Sequence, residues 1–403
     1  MILRSSRVAV AITFLSALTV SASLGTVFSR DGWGWWYDEG DPASMGRGGT
    51  SVAVTDYGAS GEVNPSTVAL TELSYGYVSY AGELFDVKGK GGTYRQREDG
   101  LPHLGGVIVL PRGLRASGLL RVQTDASFER TERVGGDPIS AGRLRTHGQG
   151  GWNRLQLGLA GPAVQNRLLW GLSVARVVGT VKEEHLFDFD DSGARDVRQV
   201  VEGRLGGAWV GTGGFVLRPD PRLAVGAALT LAGSSRIVQE VRVLEGTSFE
   251  ESKAGRQELP DQWAIGIQGK PTARISLSAD MARTLWGSAS LRPGPGEPWQ
   301  QPYHDSTRWG VGLEHALGSD AEPGWTLRGG YAHRISYIRA ADGSRVIERD
   351  LSVGLRRRAA KGRAAVDVAL ELGKRGDQEK VGVEERFARL TLGLSFSSVV
   401  REY

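Results

Sequence analysis

Apolar and polar residues alternate along much of this 403-residue chain with a period of two residues. The last such segment, 386–396, reads RFARLTLGLSF, and its apolar positions are Ala388, Leu390, Leu392, Leu394 and Phe396. Because side chains alternate between the two faces of a β-strand, this segment has one apolar face and one polar or small face. The same alternation recurs in segments of about ten residues or more, which is typical of a transmembrane β-barrel. The pattern therefore predicts strands that are apolar toward lipid and polar toward a lumen.

Two kinds of connection separate these segments. Six are short and rich in Pro, Gly and Asn, as turns require, and they lie at 111–113, 161–166, 219–221, 269–271, 319–324 and 359–362. Seven are longer and more charged, at 85–103, 134–150, 188–196, 245–256, 287–303, 339–345 and 375–385. Thirteen connections give fourteen strands, an even number as in bacterial barrels, with both chain ends and the short turns on the periplasmic side. We therefore predict an all-β fold, a 14-stranded antiparallel transmembrane β-barrel formed by residues 72–397.

Aromatic residues near the strand ends favour this barrel over a soluble β-sandwich. A sandwich would also alternate, because each of its sheets buries one face. Transmembrane barrels, however, carry aromatic girdles at both membrane interfaces. The candidates for these girdles are Trp209, Phe215, Trp263, Trp286, Trp325 and Tyr331.

The first residues predict export. Arg4 and Arg7 precede the apolar run 8–20, and Val20-Ser21-Ala22 offers a small-x-small cleavage site. We predict a cleaved signal peptide over residues 1–22, with an uncleaved N-terminal anchor helix as the alternative, and a mature chain in the outer membrane of a diderm bacterium. No later stretch is long and apolar enough for a membrane helix.

The composition excludes several classes of site and partner. The chain has no cysteine, which excludes disulfide frameworks, thiolate metal sites, cysteine nucleophiles and a lipoprotein anchor. Its net charge is only +4 and its arginines are scattered along the strands, so we predict no nucleic-acid partner. Basic groups near the membrane surface instead predict contacts with outer-membrane lipid and lipopolysaccharide. We predict no cofactor and no metal.

Residues 23–71 lack the alternation of the strands. They begin with the aromatic residues Trp33, Trp35, Trp36 and Tyr37 and continue into a glycine-rich stretch. The segment is too glycine-rich for an independent domain and too apolar for a solvated tail. Since a barrel of this size has a lumen that is either filled or water-conducting, we predict that the segment is a plug inside the barrel. Such a plug would obstruct the pore of a general porin.

Several motifs resemble the FadL-type outer-membrane transporters of long-chain fatty acids and other hydrophobic compounds. Asn64-Pro65-Ser66 is similar to the Asn-Pro-Ala of the family's N-terminal hatch, with one small residue in place of another. Five further segments resemble the family, namely 43–49 (ASMGRGG), 52–56 (VAVTD), 259–266 (LPDQWAIG), 277–280 (LSAD) and 325–331 (WTLRGGY). The resemblance spans most of the mature chain and identifies residues 23–71 as a hatch.

One departure from the family lies at the C-terminus. A short tail, 398–403, follows the last alternating segment and ends in Tyr403. Two readings stay open: this terminal aromatic residue serves the barrel-assembly machinery as a recognition signal, or the last strand is shifted toward the C-terminus.

The resemblance implies passive transport of hydrophobic small molecules such as fatty acids. Cargo would be captured at the outer loops, pass a pocket near the hatch and leave through a gap in the barrel wall. The hatch residues carried over as the gating element are Gly46, Gly48, Gly49, Asn64 and Pro65. A purely structural reading of them, tight bends followed by an Asn-Pro turn, stays open.

A fatty acid also needs a donor for its carboxylate. Arg121, Arg154 and Arg328 lie in strands on or next to the polar face and are the candidates. They could instead pair with lumenal acids such as Asp280 or Glu314.

Two other functions come from different classes. An enzyme would need a Ser or Thr nucleophile beside a base. No GxSxG or HExxH motif occurs in the sequence. Of the six histidines, His315 and His333 lie near strand ends without an evident Ser–acid arrangement, and the sequence places the other four in or near outer loops, namely His103, His147, His185 and His304. We therefore predict no enzyme.

The second alternative is a FadL-like barrel that acts as a protein-secretion partner or surface anchor, because fold alone does not fix function. That role favours a sealed lumen and an exposed apolar loop patch, for which 83–86 and 286–299 are the candidates.

Overall fold

The computed structural model of the chain describes residues 25–30, 32–37, 41–55, 60–89, 92–135, 141–190, 197–244, 249–292, 298, 300, 303–318, 323–339, 343–359 and 363–398. The predicted signal peptide lies outside these residues, as does the predicted tail beyond Ser398. No helix within the described ranges is long and apolar enough to cross a membrane.

Fourteen antiparallel strands form one closed barrel, as the sequence predicts. Their bounds are β1 Ser74–Gly89, β2 Gly92–Val109, β3 Arg115–Val122 with Phe128–Val134, β4 Gly142–Ala163, β5 Leu168–Phe189, β6 Val197–Asp220, β7 Leu223–Ala232 with Ser234–Leu244, β8 Phe249–Glu258 with Gln262–Gly269, β9 Ile275–Thr284 with Leu291–Arg292, β10 Ser306–Gly318, β11 Pro323–Arg339, β12 Arg345–Ala359, β13 Ala364–Asp377 and β14 Val383–Ser398. The ladder closes where β1 pairs with β14, from Ser74↔Ser398 to Gly89↔Val383. Closure leaves no unpaired sheet edge between the first strand and the last.

Short elements precede and interrupt the barrel. They are the 3₁₀ turns Val27–Arg30, Pro65–Leu70, Pro111–Gly113 and Trp286–Ser288, and the helical turn Pro42–Met45. A two-residue strand, Trp35–Trp36, pairs with Thr124–Asp125, which lies between the two parts of β3.

The two-residue alternation separates the outer surface from the lumen. In β14, Leu390 is 43% exposed, whereas Arg389 and Thr391 are buried. In β12, Leu351 is 64% exposed beside the buried Asp350 and Ser352. The apolar residues therefore form an outward belt that suits lipid, and the polar residues face inward.

The strands are longer than the sequence predicts, because they continue into the predicted long loops. The predicted connection at 85–103 is almost entirely strand, and β4, β5 and β6 have 22, 22 and 24 residues. Their far halves carry ion pairs on the outer face, such as Arg198–Glu184 at 2.7 Å and Arg204–Glu202 at 2.7 Å. Beyond the apolar belt the outer face does not contact lipid, so outward residues need not be apolar. The alternation of apolar and polar residues therefore fades there, although the backbone hydrogen bonds between the strands continue. Cross-strand charge pairs support such ladders.

Strand β3 bends into the lumen. Its first part pairs with β2 from Arg115↔Val109 to Arg121↔His103, and after Val122 this pairing stops. Phe128–Val134 pairs with β4, whereas β2 beyond His103 pairs only with β1 among the described residues. The wall between β2 and β3 is therefore open beyond the Arg121↔His103 register.

Buried ion pairs fill much of the lumen. Arg375 contacts Glu83 at 2.6 Å, Glu385 at 3.0 Å and also Glu348, and its side chain is fully buried. Arg389 adds contacts to Glu83 at 2.7 Å and to Glu371 at 3.3 Å. This network joins β1, β12, β13 and β14 from the inside.

Replacing Arg375 with alanine is expected to lower the free energy of unfolding by about 3–5 kcal/mol, because three buried carboxylates lose a shared cation. The matched control is Arg386→Ala, since that guanidinium lies on the exposed face of β14 and pairs with Glu384. Urea unfolding in lipid vesicles, followed by loss of the heat-modifiable compact band, measures both variants. Equal midpoints would contradict a structural role for the network.

Candidate functional site

The N-terminal segment, residues 25–71, contacts inward-facing positions of the strands, and most of its described residues are buried. Asp41 caps the helical turn Pro42–Met45 by accepting hydrogen bonds from the backbone N–H groups of Ala43 at 2.9 Å and Ser44 at 3.0 Å. Asp280 of β9 accepts from the backbone N–H of Val52 at 2.7 Å and from that of Ser51. The expectation that Asp280 pairs with an arginine is thus wrong. Its carboxylate satisfies backbone donors of the N-terminal segment instead.

The three predicted gating glycines allow this segment to approach the strands closely. Gly48 and Gly49 have φ angles of 65° and 76°, in the left-handed region that favours glycine. A Cβ atom on Gly48 would lie 2.5 Å from the carbonyl oxygen of Tyr331, and one on Gly46 would lie 3.0 Å from the Cα of Gly354. These contacts explain why glycine stands there, and a gating role for the three residues stays a prediction.

Asn64 connects the N-terminal segment to itself and to β6. Its side-chain amide donates to the backbone carbonyls of Val52 at 2.8 Å and Phe215 at 3.1 Å. Its carbonyl accepts from the backbone N–H of Ser66 at 3.1 Å and so caps the 3₁₀ turn that begins at Pro65. Asn64 and Pro65 therefore lie together where the N-terminal segment contacts β6 of the barrel wall.

The three predicted arginines differ in their counter-ions. Arg328 contacts Glu314 and Asp367, each at 2.7 Å, and Arg121 contacts Glu62 at 2.6 Å. Arg154 is buried and donates to the neutral hydroxyl of Thr212 at 3.0 Å, and no carboxylate among the described residues pairs with it. A buried cation without a counter-ion is costly. Arg154 is therefore the one of the three with free capacity for an anionic group.

His103 does not lie in an outer loop, which corrects that prediction. It is fully buried in the lumen, with its Nε2 atom 3.4 Å from a carboxylate oxygen of Glu62. Because β2 extends through the predicted loop 85–103, position 103 becomes an inward-facing strand position.

An aromatic cluster closes the lumen beside the bend of β3. It consists of Trp33 and Trp36 from the N-terminal segment and Trp152, Trp286, Tyr303 and Tyr337 from the barrel. The ring centroids of Trp33 and Trp152 are 5.0 Å apart, and those of Trp286 and Tyr337 are stacked at 4.3 Å. Trp286 is therefore a lumenal residue and not part of an interfacial girdle, whereas Trp209 and Trp325 are exposed outward.

A cavity of about 210 Å³ lies on the aromatic cluster, and we call it the upper cavity. Its lining includes Trp33, Tyr303, Ile237, Val201 and Leu291, with Glu183 as its charged member. Burial raises the pKa of Tyr303, so its phenol stays neutral and the surface it offers stays uncharged. An apolar, aromatic-lined space with few polar groups is what small hydrophobic ligands require.

A second space of about 680 Å³ lies in the barrel wall where β3 bends inward, and we call it the wall groove. Thr124, Ser127, Asn153 and Thr180 are among its lining residues. Because Val181 lines the upper cavity, its neighbour Thr180 points to the opposite, outer side of the sheet. The wall groove is therefore a concavity in the outer face.

The Trp33–Trp152 pair stands between these two spaces. Trp33 lines the upper cavity, and Trp152 lies between Gly151 and Asn153, which line the wall groove. Cavities beside the middle of the N-terminal segment are far smaller, about 30 Å³ next to Pro42 and about 10 Å³ next to Arg47. The larger cavities thus lie near the bend of β3, and those beside the middle of the N-terminal segment are small.

Sequence reasoning missed Trp152, Glu62 and the upper cavity. The clustering of Trp33, Trp35 and Trp36 was the available signal for an aromatic centre, but it did not reveal which barrel residues they meet. Of the candidate apolar patch of the secretion-partner alternative, Glu83, Phe85 and Trp286 are buried, whereas Leu84 is 50% exposed. Residues 293–297 and 299 of the second candidate stretch lie outside the described residues.

The fold matches that of several solved transporter structures. The toluene transporter TbuX of Ralstonia pickettii superposes with a TM-score of 0.59 at 18% identity, covering 93% of this chain and 100% of that one. A FadL homologue of Pseudomonas aeruginosa superposes with a TM-score of 0.63 at 13% identity, covering 90% of this chain and 99% of that one. The toluene transporter TodX of Pseudomonas putida superposes with a TM-score of 0.59 at 17% identity, covering 90% of this chain and 98% of that one. These likenesses confirm the fold that the resemblance to the FadL-type family predicts.

Sequence comparison alone gives no such match. No protein-family model and no curated protein sequence matches the chain.

Replacing Asn64 with alanine is expected to loosen the N-terminal segment, because the hydrogen bonds to Val52, Phe215 and Ser66 are lost together. Limited proteolysis of the folded barrel measures this as faster cleavage within residues 41–71. Asn166→Gly is the matched control, since Asn166 lies in an exposed turn with a φ of 65° that glycine adopts without strain. Cleavage as slow as in the wild type would argue against Asn64 as the junction.

Proposed function

We propose that the protein is a passive channel for small hydrophobic compounds in the outer membrane of a diderm bacterium, exported by a cleaved signal peptide. The upper cavity is the observation that carries this proposal. Its lining is aromatic and largely apolar, with Glu183 as its charged member, and the cavity lies beside the opening in the wall. Because the barrel has its short turns at one end and its long strand extensions at the other, the upper cavity would be reached from outside the cell.

The volume of the upper cavity favours small cargo. An engineered cavity of about 150 Å³ takes up benzene, whereas pockets for drug-sized ligands start near 300 Å³. The 210 Å³ of the upper cavity fits a single aromatic ring with a short substituent. Two of the structural neighbours are described as toluene transporters, which supports cargo of this class. A long-chain fatty acid would require the aromatic cluster to move.

The wall groove supports a lateral exit. Cargo in the upper cavity is separated from the wall groove by the Trp33–Trp152 pair, and rotation of these rings would join the two spaces. Hydrophobic cargo leaving sideways would reach the outer edge of the apolar belt without crossing the polar, ion-paired part of the lumen. The hatch, residues 23–71, would then control the exit through Trp33, and its residues Gly46, Gly48, Gly49, Asn64 and Pro65 would hold it in place.

Arg154 supports cargo that carries an acid group. Arg121 and Arg328 are neutralised by carboxylates, so a cargo carboxylate would gain little from them. Arg154 has only neutral partners, and the hydroxyls of Thr212 and Thr230, 3.0 Å apart, lie next to it. We therefore keep fatty acids among the cargo candidates and assign their carboxylate to Arg154.

The cargo class can be measured in a diderm host that lacks its own fatty acid transporter. Wild-type protein is expected to take up toluene faster than oleate. Trp33→Ala is expected to raise the uptake of oleate by a larger factor than the uptake of toluene, because it enlarges the upper cavity. Arg154→Gln is expected to slow benzoate uptake and leave toluene uptake unchanged, since the two differ in the carboxylate. Faster oleate than toluene uptake by the wild type would contradict the size argument, and equal effects of Arg154→Gln on both cargoes would contradict the carboxylate assignment.

Filling the wall groove is expected to stop transport. Thr180→Trp places a large side chain in the groove from its outer face, so toluene uptake should fall to the level of cells without the protein. Leu172→Trp is the matched control, because Leu172 lies on the same strand, faces outward and is 61% exposed away from the groove. Normal uptake with Thr180→Trp, in a barrel shown to be folded by its heat-modifiable band, would exclude the lateral exit.

A further inference from the structure

The short turns at one end of the barrel are basic. The turns after β2, β4, β6 and β12 carry Arg112, Arg167, Arg222 and Arg363, and Arg357 lies near the end of β12. We call these five residues the basic rim. All five are exposed, and none of them forms an ion pair with a carboxylate of the described chain. Lys270 and Arg274 add two more basic residues in the turn after β8.

Acidic residues do not balance the basic rim. Among the described residues at this end, Asp220 and Glu72 are acidic: the carboxylate of Asp220 accepts the backbone N–H of Arg222 at 2.8 Å, and Glu72 lies near Arg115, which is not part of the basic rim. At the opposite end of the barrel, several arginines are matched with acids. Examples there are Arg198–Glu184 at 2.7 Å, Arg145–Asp188 at 3.1 Å and Arg242–Glu240 at 2.6 Å. Among the described residues, the five arginines of the basic rim thus carry positive charge that no carboxylate pairs with.

The basic rim adjoins the apolar belt. The guanidinium of Arg357 lies over the ring of Trp325, 4.6 Å from its centroid, and Trp325 is exposed on the outer face. Arg222 precedes Leu223, which is also exposed outward. Aromatic residues of membrane proteins concentrate at the level of the lipid head groups. The rim therefore lies where the head groups of one leaflet meet the protein.

We propose that the basic rim binds the phosphates of anionic phospholipids in the leaflet at the turn end. A guanidinium binds a phosphate through two parallel hydrogen bonds, and anionic leaflets attract basic groups at the membrane surface. The apolar belt above the rim accommodates the acyl chains of the same lipids. A soluble acidic protein would match the charge of the rim but not its continuity with the belt. This inference concerns the lipid around the barrel and does not depend on the cargo.

Binding of a defined lipid to the purified full-length protein tests the proposal. Protein in mild detergent is titrated with phosphatidylglycerol or with phosphatidylcholine, and bound lipid is counted by native mass spectrometry at low and high salt. Wild-type protein is expected to prefer phosphatidylglycerol by at least roughly tenfold at low salt, and high salt should reduce this preference.

Two variants with the same change in charge locate the binding. Arg167→Gln, Arg222→Gln and Arg363→Gln together should abolish the preference. Arg97→Gln, Arg143→Gln and Arg236→Gln, which remove three exposed arginines from strand regions away from the turns, should retain it. Heat-modifiable bands for both variants show that the barrels are folded. Equal binding of the two lipids by the wild type, or equal loss in the two variants, would overturn the proposal.

Discussion

Polar groups inside this barrel must find their partners within the protein, and this constraint organises the lumen. Fourteen strands turn every second side chain inward, and many of these side chains are charged. Arg375, Arg389 and Arg328 each contact at least two carboxylates. Removing one partner of such a pair leaves a buried charge, so the members of a network depend on each other. Arg154 stands out against this background because its partners are neutral.

The N-terminal segment obeys the same constraint with its backbone. Irregular chain inside a barrel has unpaired N–H and C=O groups, which the surrounding strands must satisfy. Asp280 accepts from Ser51 and Val52, Ser352 accepts from Gly48 at 3.0 Å, and Arg308 donates to the carbonyl of Gly49 at 2.6 Å. Inward polar residues of the strands thus bind the segment, and they could not be distinguished by sequence from residues that would line a water-filled pore.

The fold was predictable from the sequence because lipid imposes a regular pattern, and much of the site was not. Leu390, Leu392 and Leu394 face outward as their spacing predicts, and the turns fall close to the expected positions. Outside the lipid the pattern fades, so the sequence predicts a loop at His103 where the structure has a strand. Trp286 is an aromatic residue near a strand end, as expected of an interfacial girdle. It nevertheless lies inside the barrel, because a short 3₁₀ turn directs it toward Trp36 and Tyr337. Such long-range pairings leave no period in the sequence.

The bend of β3 and the N-terminal segment cannot change independently. Trp35–Trp36 completes a ladder with Thr124–Asp125, and the guanidinium of Arg121 donates both to Glu62 at 2.6 Å and to the carbonyl of Tyr37 at 3.1 Å. A displacement of residues 35–37 would therefore break backbone hydrogen bonds of the bent strand and uncover Arg121. Conversely, a straightened β3 would leave the edge of Trp35–Trp36 unpaired in the lumen. The opening in the wall is thus held by the same residues that close the lumen, so neither can change without the other.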